Sequence, residues 1–138
     1  EANITGTVRT FSPAAQATIE ARLRQMAEHI TAAHGLHAEV SYLRYYPATL
    51  NSNAEAQFCL QALTQAGIKA EAAPQPALTS EDFAFMLQAR PGAYLWLGSA
   101  PCKPLHHAAY DFNDALIPHG VNVFVTLIRQ ALAEKFPC

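Results

Sequence analysis

Polar and apolar positions alternate with period two over residues 3–11, placing Ile4, Gly6 and Val8 on one face and Thr5, Thr7, Arg9 and Phe11 on the other. That is the pattern of a strand packed on one side only. Ser12-Pro13 then supplies a helix N-cap followed by proline at the first helical position. Ile19, Leu23, Met26 and Ile30 recur at helical spacing as far as Gly35, which predicts a helix over about 13–34. A second alternation over His37–Tyr45 sets Ala38, Val40 and Tyr42 against Glu39, Ser41 and Leu43 and predicts another strand. Strand, helix and strand make a βαβ unit in which Arg9 faces away from the helix, toward a cleft.

Tyr45-Tyr46-Pro47 interrupts this pattern, and Asn51-Ser52-Asn53 offers N-caps for a helix over about 53–66 that ends at Gly67. Cys59, Ala62, Leu63 and Ala66 give that helix a packing stripe of small residues. A short strand over Ile68–Ala72 and a linker at Pro74 and Pro76 follow. Thr79-Ser80-Glu81-Asp82-Phe83 has the form of a helix start with acids in the first turn. Ala93–Gly98 is a near-continuous apolar run, as expected of a strand buried on both faces. The last helix opens at Pro118, and Val121, Phe124, Val125, Ile128 and Leu132 form its core face. The expected class is α/β, with an α+β portion at the front and a boundary that divides 1–46 from 47–138.

Composition narrows the function more than the fold. The 138 residues are 51% hydrophobic and 14% charged, with a formal net charge of −2, so neither disorder nor nucleic-acid binding is indicated. No apolar run approaches the roughly 20 residues of a membrane span. Cys59, Cys102 and Cys138 are odd in number and widely spaced, and read as free thiols in a reducing, cytoplasmic compartment. The start at Glu1-Ala2-Asn3, without methionine or a signal-like segment, reads as a fragment or a processed chain. The densest chemistry lies in Leu105-His106-His107-Ala108-Ala109-Tyr110-Asp111-Phe112-Asn113-Asp114. Two histidines and two aspartates fall there, but a metal site needs three or four ligands and the stretch does not supply them by itself.

Five motifs in order carry a resemblance. Gly6-Thr7-Val8-Arg9-Thr10-Phe11, Tyr46-Pro47 with Asn51, Ser80-Glu81-Asp82-Phe83-Ala84, Pro91-Gly92-Ala93 with Leu97-Gly98, and Leu105-His106 with Tyr110-Asp111-Phe112-Asn113-Asp114 span nearly the whole chain. On these residues the chain resembles the C-terminal part of the zinc-dependent amidohydrolases that include hippurate hydrolase, N-acyl-amino-acid amidohydrolase and auxin-conjugate hydrolase, within the carboxypeptidase/aminoacylase clan. The resemblance implies half of a small βαββαβ-type lid and dimerisation domain over 1–46, then the last α/β part of a zinc-peptidase-like catalytic domain over 47–138. It implies hydrolysis of the amide bond of N-acyl, hippurate-like amino acids by a divalent metal centre of zinc or manganese, in a protein that self-associates.

By the same resemblance His106 is a metal ligand and Arg9 binds the substrate carboxylate. The remaining ligands and the general base belong to segments with no counterpart here, so the chain alone is expected to be inactive and to bind no metal stably. No catalytic residue is assigned within it. Ser80, Glu81, Asp82 and Asp111 are candidates for the surroundings of the site. Glu81 and Asp82 read equally well as helix-terminal acids, and Asp111 and Asp114 as caps of the last helix. His107 is read as a bystander, and His29, His34, His37 and His119 as surface residues. Four positions depart from the family pattern: His107-Ala108 where serine or asparagine and proline are common, Ala115 in place of a frequent glutamate, and Thr79 in place of glycine. The rival reading is a non-catalytic, self-associating interaction piece.

Overall fold

A computed structural model describes residues 1–99 and 103–135, which form four helices. They are α1 (Pro13–Ala33), α2 (Asn53–Gln65), α3 (Phe83–Ala89) and α4 (Leu116–Lys135). The chain divides into two compact units, one of Glu1–Leu50 with Gln75–Arg90 and the other of Asn51–Pro74 with Pro91–Cys138.

In the first unit α1 is closed by local chemistry at both ends. Ser12 is extended at the N-cap and its Oγ accepts from Ala15 N at 3.2 Å, while Pro13 sits where a missing N–H costs nothing. At the other end Gly35 takes a positive φ of 67°. Leu36 N donates to Thr31 O at 2.8 Å and Gly35 N to Ala32 O at 3.0 Å. This is the paired closure of a Schellman motif, which needs a left-handed residue that glycine supplies without strain. The segment after α1 is held to it by charge. Glu20 accepts from Arg24 Nη2 at 3.0 Å and from Arg44 Nε at 2.8 Å, and Arg24 Nη1 donates to Val40 O at 2.7 Å. Tyr46 and Phe85 pack with ring centroids 5.9 Å apart, tying α3 to the residues before Pro47.

In the second unit α2 packs against α4. Cys59, Ala62 and Leu63 on α2 are buried, in keeping with the small-residue stripe, whereas Ala66 is exposed. Burial pushes the Cys59 thiol above its ordinary range, and the nearby Glu55 carboxylate adds to the effect. The closure of α2 repeats that of α1, with Gly67 at φ 72°, Ile68 N donating to Leu63 O at 2.9 Å and Gly67 N to Thr64 O at 3.0 Å. Ser52 stands at the N-cap, but its hydroxyl does not cap the helix. Instead Ser52 Oγ accepts from Gly92 N at 3.2 Å, and Ser52 N donates to Gly92 O at 2.9 Å. Beside it Asn51 Nδ2 donates to Tyr94 O at 3.0 Å while Tyr94 N donates to Asn51 Oδ1 at 2.8 Å. One side-chain amide thus serves both backbone groups of Tyr94, as a neighbouring strand would.

Several expectations are corrected. Among the described residues no strand forms at 3–11, 37–45, 68–72 or 93–98, so neither the βαβ unit nor the α/β layering is realised. The physical reason is that a strand is completed by a partner, and alternation specifies only which face would be buried. The run at 93–98 is not buried on both faces, since Leu95, Trp96 and Leu97 are 39%, 60% and 48% exposed. The first turn of α3 holds no acid, because the helix begins at Phe83, after Glu81 and Asp82. Helix α4 begins at Leu116, two residues before Pro118, which a first turn tolerates. The stripe of α1 and the expected core face of α4 both lie open to solvent. One expectation about membranes also changes: Leu116–Ala133 has a mean hydropathy of 1.2, enough by length and composition alone to cross a bilayer.

Candidate functional site

The residues singled out for chemistry fall in both units. In the first unit, Arg9 Nη1 donates to Ser80 Oγ at 3.0 Å, across 71 positions of sequence. The serine hydroxyl therefore holds one edge of an exposed guanidinium, whose other donors retain the planar fork suited to a carboxylate. Glu81 Oε1 accepts from Asp82 N at 3.1 Å, so this carboxylate is partly engaged by its own backbone. Ala84 N donates to Glu81 O at 3.2 Å and Phe85 N to Asp82 O at 3.0 Å, which starts α3. Glu81 and Asp82 thus serve the entry to the helix.

In the second unit the turn Pro104–His107 is closed by His107 N donating to Pro104 O at 3.1 Å. His106, the third residue of this turn, has a φ of 69°. Among the described residues other than glycine, no other positive φ occurs. Such a conformation costs a non-glycine residue on the order of 1–3 kcal/mol, although histidine tolerates it better than most. The geometry is that of the third position of a type II turn, where glycine is preferred.

His107 has a different role. Its Nδ1 accepts from Ala109 N at 3.0 Å, and Tyr110 N donates to His107 O at 2.9 Å. An Nδ1 that accepts leaves the proton of a neutral imidazole on Nε2. His107 thus builds the loop that carries His106. Asn113, which lies in the last motif but had no role there, provides the side-chain turn before α4: Oδ1 accepts from Ala115 N at 3.1 Å. An Asx turn of this kind needs an asparagine whose side chain reaches the backbone two residues on, and Asn113 stands three residues ahead of the helix. Asp111 and Asp114 are exposed, and Ile117 N donates to the backbone oxygen of Asp114 at 3.0 Å.

Among the described residues no three His, Cys, Asp or Glu side chains gather into a group able to hold a metal. A lone exposed imidazole does not fit a resident metal centre, so no chemical step is derived through a metal bound by this chain alone. A cavity of about 250 Å³ in the first unit is lined by Pro13, Gln16, Arg44, Tyr45, Tyr46 and Phe85 among others, and holds none of the predicted site residues.

Comparison with known proteins supplies what the geometry leaves open. The model of peptidase family M20/M25/M40 matches residues 4–130. The chain belongs to that family. It is 31% identical over 123 residues to the N-acetyldiaminopimelate deacetylase of Bacillus licheniformis, covering 89% of this chain and 33% of that protein. It is 28% identical over 130 residues to the N-acetylcysteine deacetylase of Bacillus subtilis, covering 92% of this chain and 33% of that protein. The solved YXEP protein of Bacillus subtilis, described as a dinuclear metal binding peptidase from the M20 family, superposes with a TM-score of 0.78 at 25% identity, over 92% of this chain and 35% of that one. This M20 chain spans about a third of the length of the relatives it matches.

Proposed function

We propose that the chain is part of a metal-dependent amidohydrolase that cleaves the amide bond of N-acyl amino acids. The observation that carries this reading is the family match over residues 4–130, together with relatives named as deacetylases of N-acetylated amino acids. Residues 1–46 act as the lid portion and 47–138 as the end of the catalytic domain. Arg9, steadied by Ser80, pairs with the substrate carboxylate, and the fork geometry favours a bidentate contact. His106 contributes one ligand to a divalent centre of zinc or manganese whose other ligands lie outside the described residues. The turn at His106 supports this, because backbone strain held at a loop tip is a mark of functional positions. The substrates are acyl amino acids with small acyl groups, as in the relatives' names, or with a hippurate-like benzoyl group. The free, buried Cys59 fits a reducing, cytoplasmic setting.

The chain alone is inert. The test incubates it with zinc or manganese and N-acetyl or N-benzoyl amino acids, beside a complete M20 enzyme that contains this sequence. Turnover by the 138-residue chain would overturn its inertness. Full metal content and turnover in the complete enzyme carrying His106→Ala would overturn the ligand assignment. Self-association belongs to the same proposal, through the α1 stripe of Ile19, Leu23, Met26 and Ile30, which is 37–57% exposed. A monodisperse monomer in light scattering at high concentration would remove it. The reading of the chain as solely an interaction piece gains no support from its relatives.

A further inference from the structure

The cavity of the first unit has a lining that the hydrolytic reading leaves unused. It holds about 250 Å³ and is bordered by Gln16, Arg44, Tyr45, Tyr46, Phe85 and Gln88 among others. All of these lie within Glu1–Leu50 and Gln75–Arg90, so the cavity belongs to one compact unit. Sites for small ligands combine aromatic and apolar walls with a few polar groups that fix orientation, and this lining has both. Tyr46 and Phe85 pack on each other at 5.9 Å with their planes tilted by 53°, yet each residue stays 49% exposed. Their mutual contact therefore leaves aromatic surface uncovered.

The charge of the lining has one sign. Arg44 supplies it, and no acid lines the cavity among the described residues. Glu20 holds the guanidinium by one edge: its Oε2 accepts from Arg44 Nε at 2.8 Å and lies 2.7 Å from Nη2. The other carboxylate oxygen, Oε1, accepts from Arg24 Nη2 at 3.0 Å. One carboxylate thus serves two guanidinium groups, and the trio keeps one uncompensated positive charge. Arg44 Nη1 has no partner among the described residues, and neither has the side-chain amide of Gln16 or of Gln88.

We infer that this cavity is a binding site for a small aromatic carboxylate, with the carboxylate on the free edge of Arg44 and the ring against Tyr46 and Phe85. Volume decides the size. Drug-sized ligands occupy sites of roughly 300–1,000 Å³, so a cavity of about 250 Å³ admits one ring with its charged group and little more. Charge and walls decide the class, since a neutral ring leaves Arg44 unanswered and an aliphatic acid forgoes the ring contacts. The inference does not rest on hydrolysis, and neither Arg9 nor His106 lines the cavity.

The test titrates the 138-residue chain with 4-hydroxybenzoate and follows its backbone amide signals by NMR. Saturable shifts are expected around Gln16, Tyr46 and Phe85, with a Kd on the order of 1 mM for so small a ligand. 4-Hydroxybenzyl alcohol keeps the ring without the charge and acetate keeps the charge without the ring, and each binds about tenfold or more weakly. Arg44→Gln removes the cation and Gln88→Glu places a like charge in the lining, and each weakens 4-hydroxybenzoate by about tenfold. The Gln88 side chain has no partner to lose, so the second variant carries the test if losing the Glu20 pair unfolds the first. Arg9→Gln leaves the Kd unchanged. The absence of saturable shifts up to about 20 mM overturns the inference. So does a folded Arg44→Gln or Gln88→Glu chain that binds as tightly as the wild type, or equal binding of the alcohol or of acetate. Shifts abolished by Arg9→Gln would assign the ligand to the Arg9 carboxylate site and overturn it likewise.

Discussion

Replacing Asn51 by alanine removes both hydrogen bonds that hold Tyr94, the 3.0 Å bond from Asn51 Nδ2 to the carbonyl and the 2.8 Å bond from the Tyr94 N–H to Oδ1. A typical hydrogen bond contributes a net ~0.5–1.5 kcal/mol, and the exposure of Asn51 places each of these near the lower end. The pair is therefore worth about 1–2 kcal/mol in local stability, corresponding to a roughly 5- to 30-fold fall in protection of the Tyr94 amide. Hydrogen exchange measured on peptides covering residues 92–95 reads this directly. Asn51→Asp is the informative companion, because a carboxylate keeps the acceptor for Tyr94 N–H but turns lone pairs toward the Tyr94 carbonyl. It should lose part of the protection and expel the carbonyl. Ser52→Ala removes only the 3.2 Å bond from Gly92 N, and its effect should be about half as large. Unchanged Tyr94 exchange in Asn51→Ala would refute the view that this side chain stands in for a strand.

Two further perturbations test other parts of the chain. His106→Gly should stabilise the chain by up to about 1 kcal/mol, whereas His106→Ala should leave it level or slightly weaker, since only glycine adopts the φ of 69° without strain; thermal unfolding distinguishes them, and equal midpoints would mean the turn relaxes. The Arg44 and Arg24 guanidinium groups hydrogen-bonded to Glu20 hold its carboxyl below the ordinary value of 4.5. A depressed folded-state pKa contributes stability that is fully present above the unfolded value and is lost as pH falls through the folded one. The stability difference between the wild-type chain and Glu20→Gln should accordingly be constant at neutral pH and shrink as the solution is acidified below about 4.5; a difference independent of pH down to 2 would show that the ion pairs do not act.

The helices were legible because their signals are completed within a few residues. Ser12-Pro13 and Gly35 fix both ends of α1, and Gly67 fixes the end of α2, through bonds that span five residues or fewer. The alternating segments carry no such closure. Alternation over Ile4–Phe11 names a face to be buried, and whether a neighbouring backbone exists to pair with it is not written in those residues. The same division applies to Asn51. Its place in the Tyr46-Pro47 motif was visible, but its bonds to Tyr94 join positions 43 apart.

The candidate site follows that logic one level up. What His106 and His107 do to their own loop is local: a turn closed on Pro104, a left-handed φ, and an imidazole nitrogen that accepts from Ala109. What His106 can do chemically depends on ligands that the described residues do not gather. The periodicity of α4 shows the same split. Val121, Phe124, Ile128 and Leu132 mark the face that the pattern assigns to a core, yet among the described residues the adjacent stripe of Leu116, Gly120, Val123, Leu127 and Ala131 is the less exposed one. Gly120 on that stripe leaves room for Leu97, whose Cδ2 would lie 3.6 Å from a Cβ built there, and which of two apolar stripes is covered is decided by such long-range neighbours and not by the periodicity of the helix.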